Sequence, residues 1–182
     1  MSSAPESEPH PGHAPRILAF DVGDRRIGLA LSDPLGYTAQ PLFTLHRASH
    51  RADFKQIARV LRRHAVAEAV VGNPLYMSGD LSPQAVKAQA FAESLRGEFG
   101  LTVHLWDERL TTTEAHRHLS AGGHATGPDR RAIIDQVAAV LILQSFLQAR
   151  ANELARALNS AHETESRGLT PPTRAETHGE KS

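Results

Sequence analysis

At 182 residues, 40% of them hydrophobic and 22% charged, the chain is long enough for one domain with a real core. It contains no cysteine, which excludes disulfides and thiolate zinc sites. The stretch "MSSAPESEPHPGHAP" lacks a signal-peptide pattern, and no apolar run approaches the roughly 20 residues of a membrane span, so a cytoplasmic protein without a membrane partner is expected. A formal net charge of zero argues weakly against a nonspecific nucleic-acid coat. Yet 17 of the 20 basic residues are arginine, the side chain suited to bidentate phosphate contact. A GC-rich genome gives the same bias, so composition permits nucleic acid without indicating it.

Residues 1–15 and 158–182 are polar and rich in Pro, Ser and Glu. They bury too little to offset ordering entropy, and are expected to be disordered tails around a domain at 16–157. Within that domain, 16–21 and 26–32 read as strands, and a third lies near Ala39–Leu45. A helix from about Ala52 to His64 carries Phe54, Ile57, Ala58 and Leu61 at helical spacing. "EAVVG" is a short buried strand ending at Gly72, Asn73 and Pro74. A helix from about Ser82 to Phe99 has Pro83 in its first turn, and "TVHLWDE" is the next strand. "TTTEAHRHLS" reads as a short helix with a threonine cap at Thr111–Thr113, and "AGGHATGP" as a loop. A long helix from about Arg130 to Ala157 closes the domain. Three strands as a meander, then alternating helix and strand, predict an α/β fold with a sheet of mixed direction.

Three acids stand where an apolar pattern would not place them. Asp21 ends the first strand, Glu108 ends "TVHLWDE", and Asp135 sits within "AIIDQVAAVLILQSFL", the most apolar stretch of the chain. Ligands of open α/β sheets bind beyond the carboxyl ends of parallel strands, where Asp21 and Glu108 lie and where the long helix can bring Asp135. Each has a plainer reading. Asp21 also suits a turn that bonds its own backbone, and Glu108, next to Asp107, suits an exposed strand end. For Asp135 the plain reading is a helix-dipole partner, but that effect fades after the first turn. A carboxylate flanked by Ile133, Ile134, Val137 and Ala138 needs a partner, and a divalent metal is one of the strongest.

"FDVGDRRIGLALSD", "VVGNPLYMSG", "DERLTTTEA" and "IDQVAAVLILQSFL", in that order, resemble the YqgF family of RNase H-like proteins, described both as Holliday-junction resolvases and as pre-16S rRNA processing nucleases. The resemblance covers about residues 16–150. It implies an RNase H-like three-layer fold with a five-stranded mixed sheet of order 3-2-1-4-5, and a catalytic, metal-binding set of Asp21, Glu108 and Asp135. This chain departs from many relatives at Asn73, where Leu is common, and at Ser78, where Asp or Asn is common.

The implied chemistry follows from charge. Phosphodiester hydrolysis must stabilise an attacking water and a leaving oxygen on an anionic phosphate, which two Mg²⁺ or Mn²⁺ ions about 4 Å apart can do. Three carboxylates suit a hard cation that keeps several waters. Gly23 and Gly28 would let backbone approach the phosphate. Arg25, Arg26, Asn73 and Arg109, with Arg130 and Arg131 beside the glycine-rich loop, are the candidate nucleic-acid contacts. His116 and His118, two apart on a helix, share no face and make no metal pair.

The leading expectation is therefore a metal-dependent nuclease that processes precursor 16S ribosomal RNA, as a monomer or weak homodimer. A DNA junction resolvase is the first alternative, and a non-catalytic nucleic-acid-binding protein the second. An ATPase of the actin and sugar-kinase type, which shares the D-x-G hairpin, needs two such domains and more residues than this chain has.

Overall fold

The computed structural model describes residues 15–110 and 128–167, with side-chain surroundings for 15–109 and 133–161. Strands β1 (Arg16–Val22), β2 (Arg26–Ser32) and β3 (Ala39–His46) form an antiparallel meander. Helix α1 (His50–Arg63), β4 (Val66–Asn73), α2 (Pro83–Phe99) and β5 (Thr102–Asp107) follow. β4 pairs parallel with β1, and β5 parallel with β4, giving the sheet order β3-β2-β1-β4-β5 that the resemblance implies. A 3-10 turn at Glu108–Leu110 succeeds β5, and helix α3 runs from Pro128 to Arg167. The expected short helix at Thr111–Ser120 and most of the glycine-rich loop lie outside the described residues.

Alternation along the strands builds two cores. Leu18, Phe20, Ile27, Leu29, Ala69 and Val71 meet α1 and α2 on one face of the sheet. Ile17, Ala19, Ala30 and Val70 meet Ala139, Ile142, Leu143 and Leu147 of α3 on the other. Both short-side helices start on serine caps, with Ser49 accepting from the Ala52 amide and Ser82 from that of Ala85. Gly100 ends α2 at φ 65°, a left-handed cap that glycine adopts without strain.

Two expectations need correction. The stretch Ile133–Ala161 is long and apolar enough, at a mean hydropathy of 1.2, to pass for a membrane span. It is no single apolar run, and it buries Ala139, Ile142, Leu143 and Leu147 against the sheet. The closing helix also continues past Ala157 to Arg167, into the segment expected to be a tail. "NSAHETESR" looks loop-like by polarity, but a helix already nucleated is extended at little cost by alanine, glutamate and arginine. The chain divides into compact units at Gln148 and Ala149, and in the second unit the helix is exposed from Arg150 to Ala161.

Candidate active site

Leu18, Phe20 and Val22 point into the first core, so Asp21 faces the α3 side of the sheet. Asp21 pairs across β1–β2 with Gly28. On the other side Phe20 is level with Val71, which sets Gly72 next to Asp21. The acid therefore stands between two glycines, and a group from elsewhere in the chain fills each gap. A Cβ on Gly28 would come within 2.0 Å of the Asp135 carbonyl oxygen. One on Gly72 would come within 2.5 Å of Glu108 Oε1 and 2.6 Å of Ile142 Cδ1. The missing side chains bring Asp135 and Glu108 in on either side of Asp21.

The electrostatics show that proximity. Burial first, and then the charge of Asp135, push the Asp21 carboxyl up from 3.8 to about 6. Burial, followed by Asp21 and Asp107, pushes Glu108 up from 4.5 to about 7. Desolvation and like charge both oppose ionisation, and an added cation would reverse both shifts.

Asp135 is treated differently. Arg26 Nε donates to its Oδ2 at 2.5 Å, with both side chains about a quarter exposed. No structural partner for this acid is legible in the sequence, and the fold supplies one in Arg26. Arg26 and Gly28 share a face two residues apart on β2, and the α3 backbone resting on Gly28 puts Asp135 within reach of the guanidinium. Among the described residues, no group of three His, Asp or Glu side chains is placed to hold a metal ion as it stands.

The other expected contacts fall into three sets. Asp107 and Glu108 separate cleanly: Arg109 Nε donates to both Asp107 oxygens at 3.0 Å and Nη2 to Oδ2 at 2.6 Å, leaving Glu108 to face Asp21. That pairing holds the Asp107 carboxyl below its ordinary range, mainly through the Arg109 hydrogen bond. Arg109 also reaches the Tyr76 and Met77 carbonyls at 3.4 Å, so it clamps the loop after β4 rather than presenting an unpaired charge. Asn73 is buried at the end of β4 on the α1–α2 side by strand alternation, away from the acids, and its Oδ1 has no hydrogen-bond partner among the described residues. Arg25 is exposed on the β1–β2 turn. Arg130 and Arg131 lie in the first turn of α3, where side chains are outside the described residues.

Gly28 does not do what the sequence suggested. The open side of Gly28 is filled by the Asp135 backbone, leaving no room there for a phosphate. Gly23 closes the turn, donating its amide to the Arg26 carbonyl at 2.9 Å, and a Cβ there would sit 2.8 Å from that same oxygen. Two further tethers went unread in the sequence. Arg47 Nη1 donates to the Gly23 carbonyl at 3.1 Å, and Lys87 pairs with Asp24 at 2.5 Å.

Asp21 and Glu108 stand at the strand ends of a 3-2-1-4-5 mixed sheet, and the long helix brings Asp135 to the same face. The chain belongs to the family described as "RuvX: Holliday junction resolvase", whose model matches residues 15–149. It is 50% identical over 132 residues to a Moorella thermoacetica protein named "Putative pre-16S rRNA nuclease", covering 72% of this chain and 94% of that one. A Koribacter versatilis protein of the same name is 46% identical over 153 residues, covering 84% and 99%. Among solved structures, T. thermophilus RuvC in complex with a Holliday junction substrate matches at a TM-score of 0.44 and 18% identity, covering 76% of this chain and 96% of that one.

Proposed function

We propose that this chain is a divalent-metal-dependent nuclease of the cytoplasm that hydrolyses phosphodiester bonds in structured nucleic acid and trims the 5′ end of precursor 16S ribosomal RNA. The observation that carries the reading is Asp21, held between two glycine gaps with Glu108 and Asp135 on either side and its carboxyl pushed up to about 6. Asp21 and Glu108 have no cationic partner among the described residues, and half-buried acids without one cost stability.

The donor set fits a hard divalent cation. It is all oxygen, it is anionic, and its mutual repulsion is what a cation relieves. Asp21 and Glu108 would hold the ion, and Asp135 would join once Arg26 turns away. When bound, Mg²⁺ or Mn²⁺ supplies charge neutralisation at the phosphate and a more acidic water. The chain's own residues orient that chemistry. Asp21 and Glu108, ionised once a cation offsets their desolvation and mutual repulsion, would orient the attacking water. Arg25, exposed on the adjoining turn, would contact backbone phosphate.

The names of the Moorella and Koribacter relatives support RNA as the substrate. The family's description favours a second reading, DNA junction cleavage. Purified protein with Mn²⁺, given a precursor 16S fragment and a four-way DNA junction side by side, separates them. Cutting of the RNA near the mature 5′ end, with the junction intact, is expected. Symmetric junction cleavage with untouched RNA would transfer the assignment to the second reading.

A further inference from the structure

We propose that Arg26 is a built-in counter-ion, which holds Asp135 while the protein is metal-free and yields it when a divalent cation enters, releasing a guanidinium beside the reacting phosphate. The inference rests on the metal-dependent reading above and concerns how this chain manages that site.

Its basis is an asymmetry among the three acids. Asp21 and Glu108 have no cationic partner among the described residues, and only Asp135 is paired. The pair joins residues 109 apart in sequence, and it sits beside Gly28, where a Cβ on β2 would meet the α3 backbone. Its geometry suits release. Arg26 engages Asp135 through Nε alone, and its two terminal amino groups make no hydrogen bond among the described residues. A structural arginine clamp normally uses the fork of two parallel bonds, as Arg109 comes close to doing on Asp107. Both partners are about a quarter exposed, so water can solvate the guanidinium as it leaves.

Position supplies the rest. Asp135 lies between one positive charge, Arg26, and one negative charge, Asp21, whose carboxyl it pushes up. A single cation therefore offsets part of the repulsion in the metal-free state. A divalent ion held by these acids would offset more, and it would make Arg26 a competitor, since two cations repel at short range. The displaced side chain stays anchored on β2, two residues from Gly28, and its terminal amino groups are free for a phosphate oxygen. A merely structural ion pair between β2 and α3 would stabilise the fold without opposing the metal.

The two roles give opposite signs for manganese binding. Full-length wild type, Arg26→Gln and Arg26→Lys are titrated with Mn²⁺, following the loss of the free-ion electron paramagnetic signal, alongside thermal melts in EDTA. Arg26→Gln should melt lower in EDTA yet bind Mn²⁺ about tenfold tighter, the scale of one charged hydrogen bond removed from the competition. Arg26→Lys, a more hydrated and less directional cation, should fall between it and wild type. In wild type the Arg26 Nε–H resonance should be protected from exchange in EDTA and lose protection on saturation with Mg²⁺.

Equal or weaker Mn²⁺ binding by Arg26→Gln, with wild type binding normally, would overturn the counter-ion role and leave the metal site standing. If Arg26→Gln fails to fold, Arg26→Lys decides alone, and affinity equal to wild type counts against the proposal. Absence of Mn²⁺ binding by wild type as well would remove the metal-dependent reading, and this inference with it.

Discussion

Replacing Asp21 by Asn should make the metal-free protein more stable and catalytically dead. The carboxyl is pushed from 3.8 to about 6, chiefly by burial and then by Asp135, so its ionised form is disfavoured in the folded state. A shift of that size corresponds to about 3 kcal/mol. Because the folded pKa lies above the unfolded one, the stability linked to this proton is fully present below about pH 4. It is lost as the pH rises through about 6. Asparagine removes the charge but keeps the shape, and its partly buried amide takes back part of the gain. The net expectation is about 1–2 kcal/mol of added stability at pH 8 in EDTA, or about 3–6 °C in melting temperature. At pH 4 the two proteins should melt together. Denaturant melts at both pH values, beside cleavage assays with Mn²⁺, provide the check. A variant less stable at pH 8, or a difference independent of pH, would refute the argument that Asp21 is an uncompensated charge.

The two glycines beside Asp21 should respond differently to alanine. At Gly28 the new Cβ meets rigid helix backbone at 2.0 Å, so Gly28→Ala should cost more than about 3 kcal/mol and be hard to obtain folded. At Gly72 it meets the movable ends of Glu108 and Ile142, so Gly72→Ala should cost only about 1–2 kcal/mol while cleavage falls at least tenfold; equal melting losses for the two variants would contradict this. Asp135→Asn should cost about 1 kcal/mol or less in EDTA, because the Arg26 pair is partly exposed and repulsion from Asp21 is relieved. Metal-dependent activity should meanwhile fall by orders of magnitude, whereas a loss of 3–5 kcal/mol in a variant that still cuts would mark Asp135 as structural.

The strands, two of the helices and the three acids were legible because each broke or kept a simple period. Asp21 interrupts a continuous apolar run, and Asp135 interrupts a helical apolar stripe too far from the helix start for the dipole to explain it. What escaped was anything set by contact across the sheet. Gly72 gave no signal as a seat for Glu108, because its role appears only when β4 and β5 lie in register. The partners of Arg26 and Arg109 escaped because a sequence shows a charge and not what it pairs with, Asp135 in one case and Asp107 in the other. Gly28 was recognised as a place of close approach, but the approaching group was the chain's own helix. The end of α3 was missed for another reason, since polarity resembles a loop even where propensity sustains a helix.

Cleavage of a precursor 16S fragment by wild type and by Asp21→Asn, in Mn²⁺ and in EDTA, tests the central claim most directly. Wild type should cut with Mn²⁺ and stop in EDTA, and Asp21→Asn, folded and more stable at pH 8, should cut in neither. Undiminished cleavage in EDTA, or by the purified variant, would contradict the account.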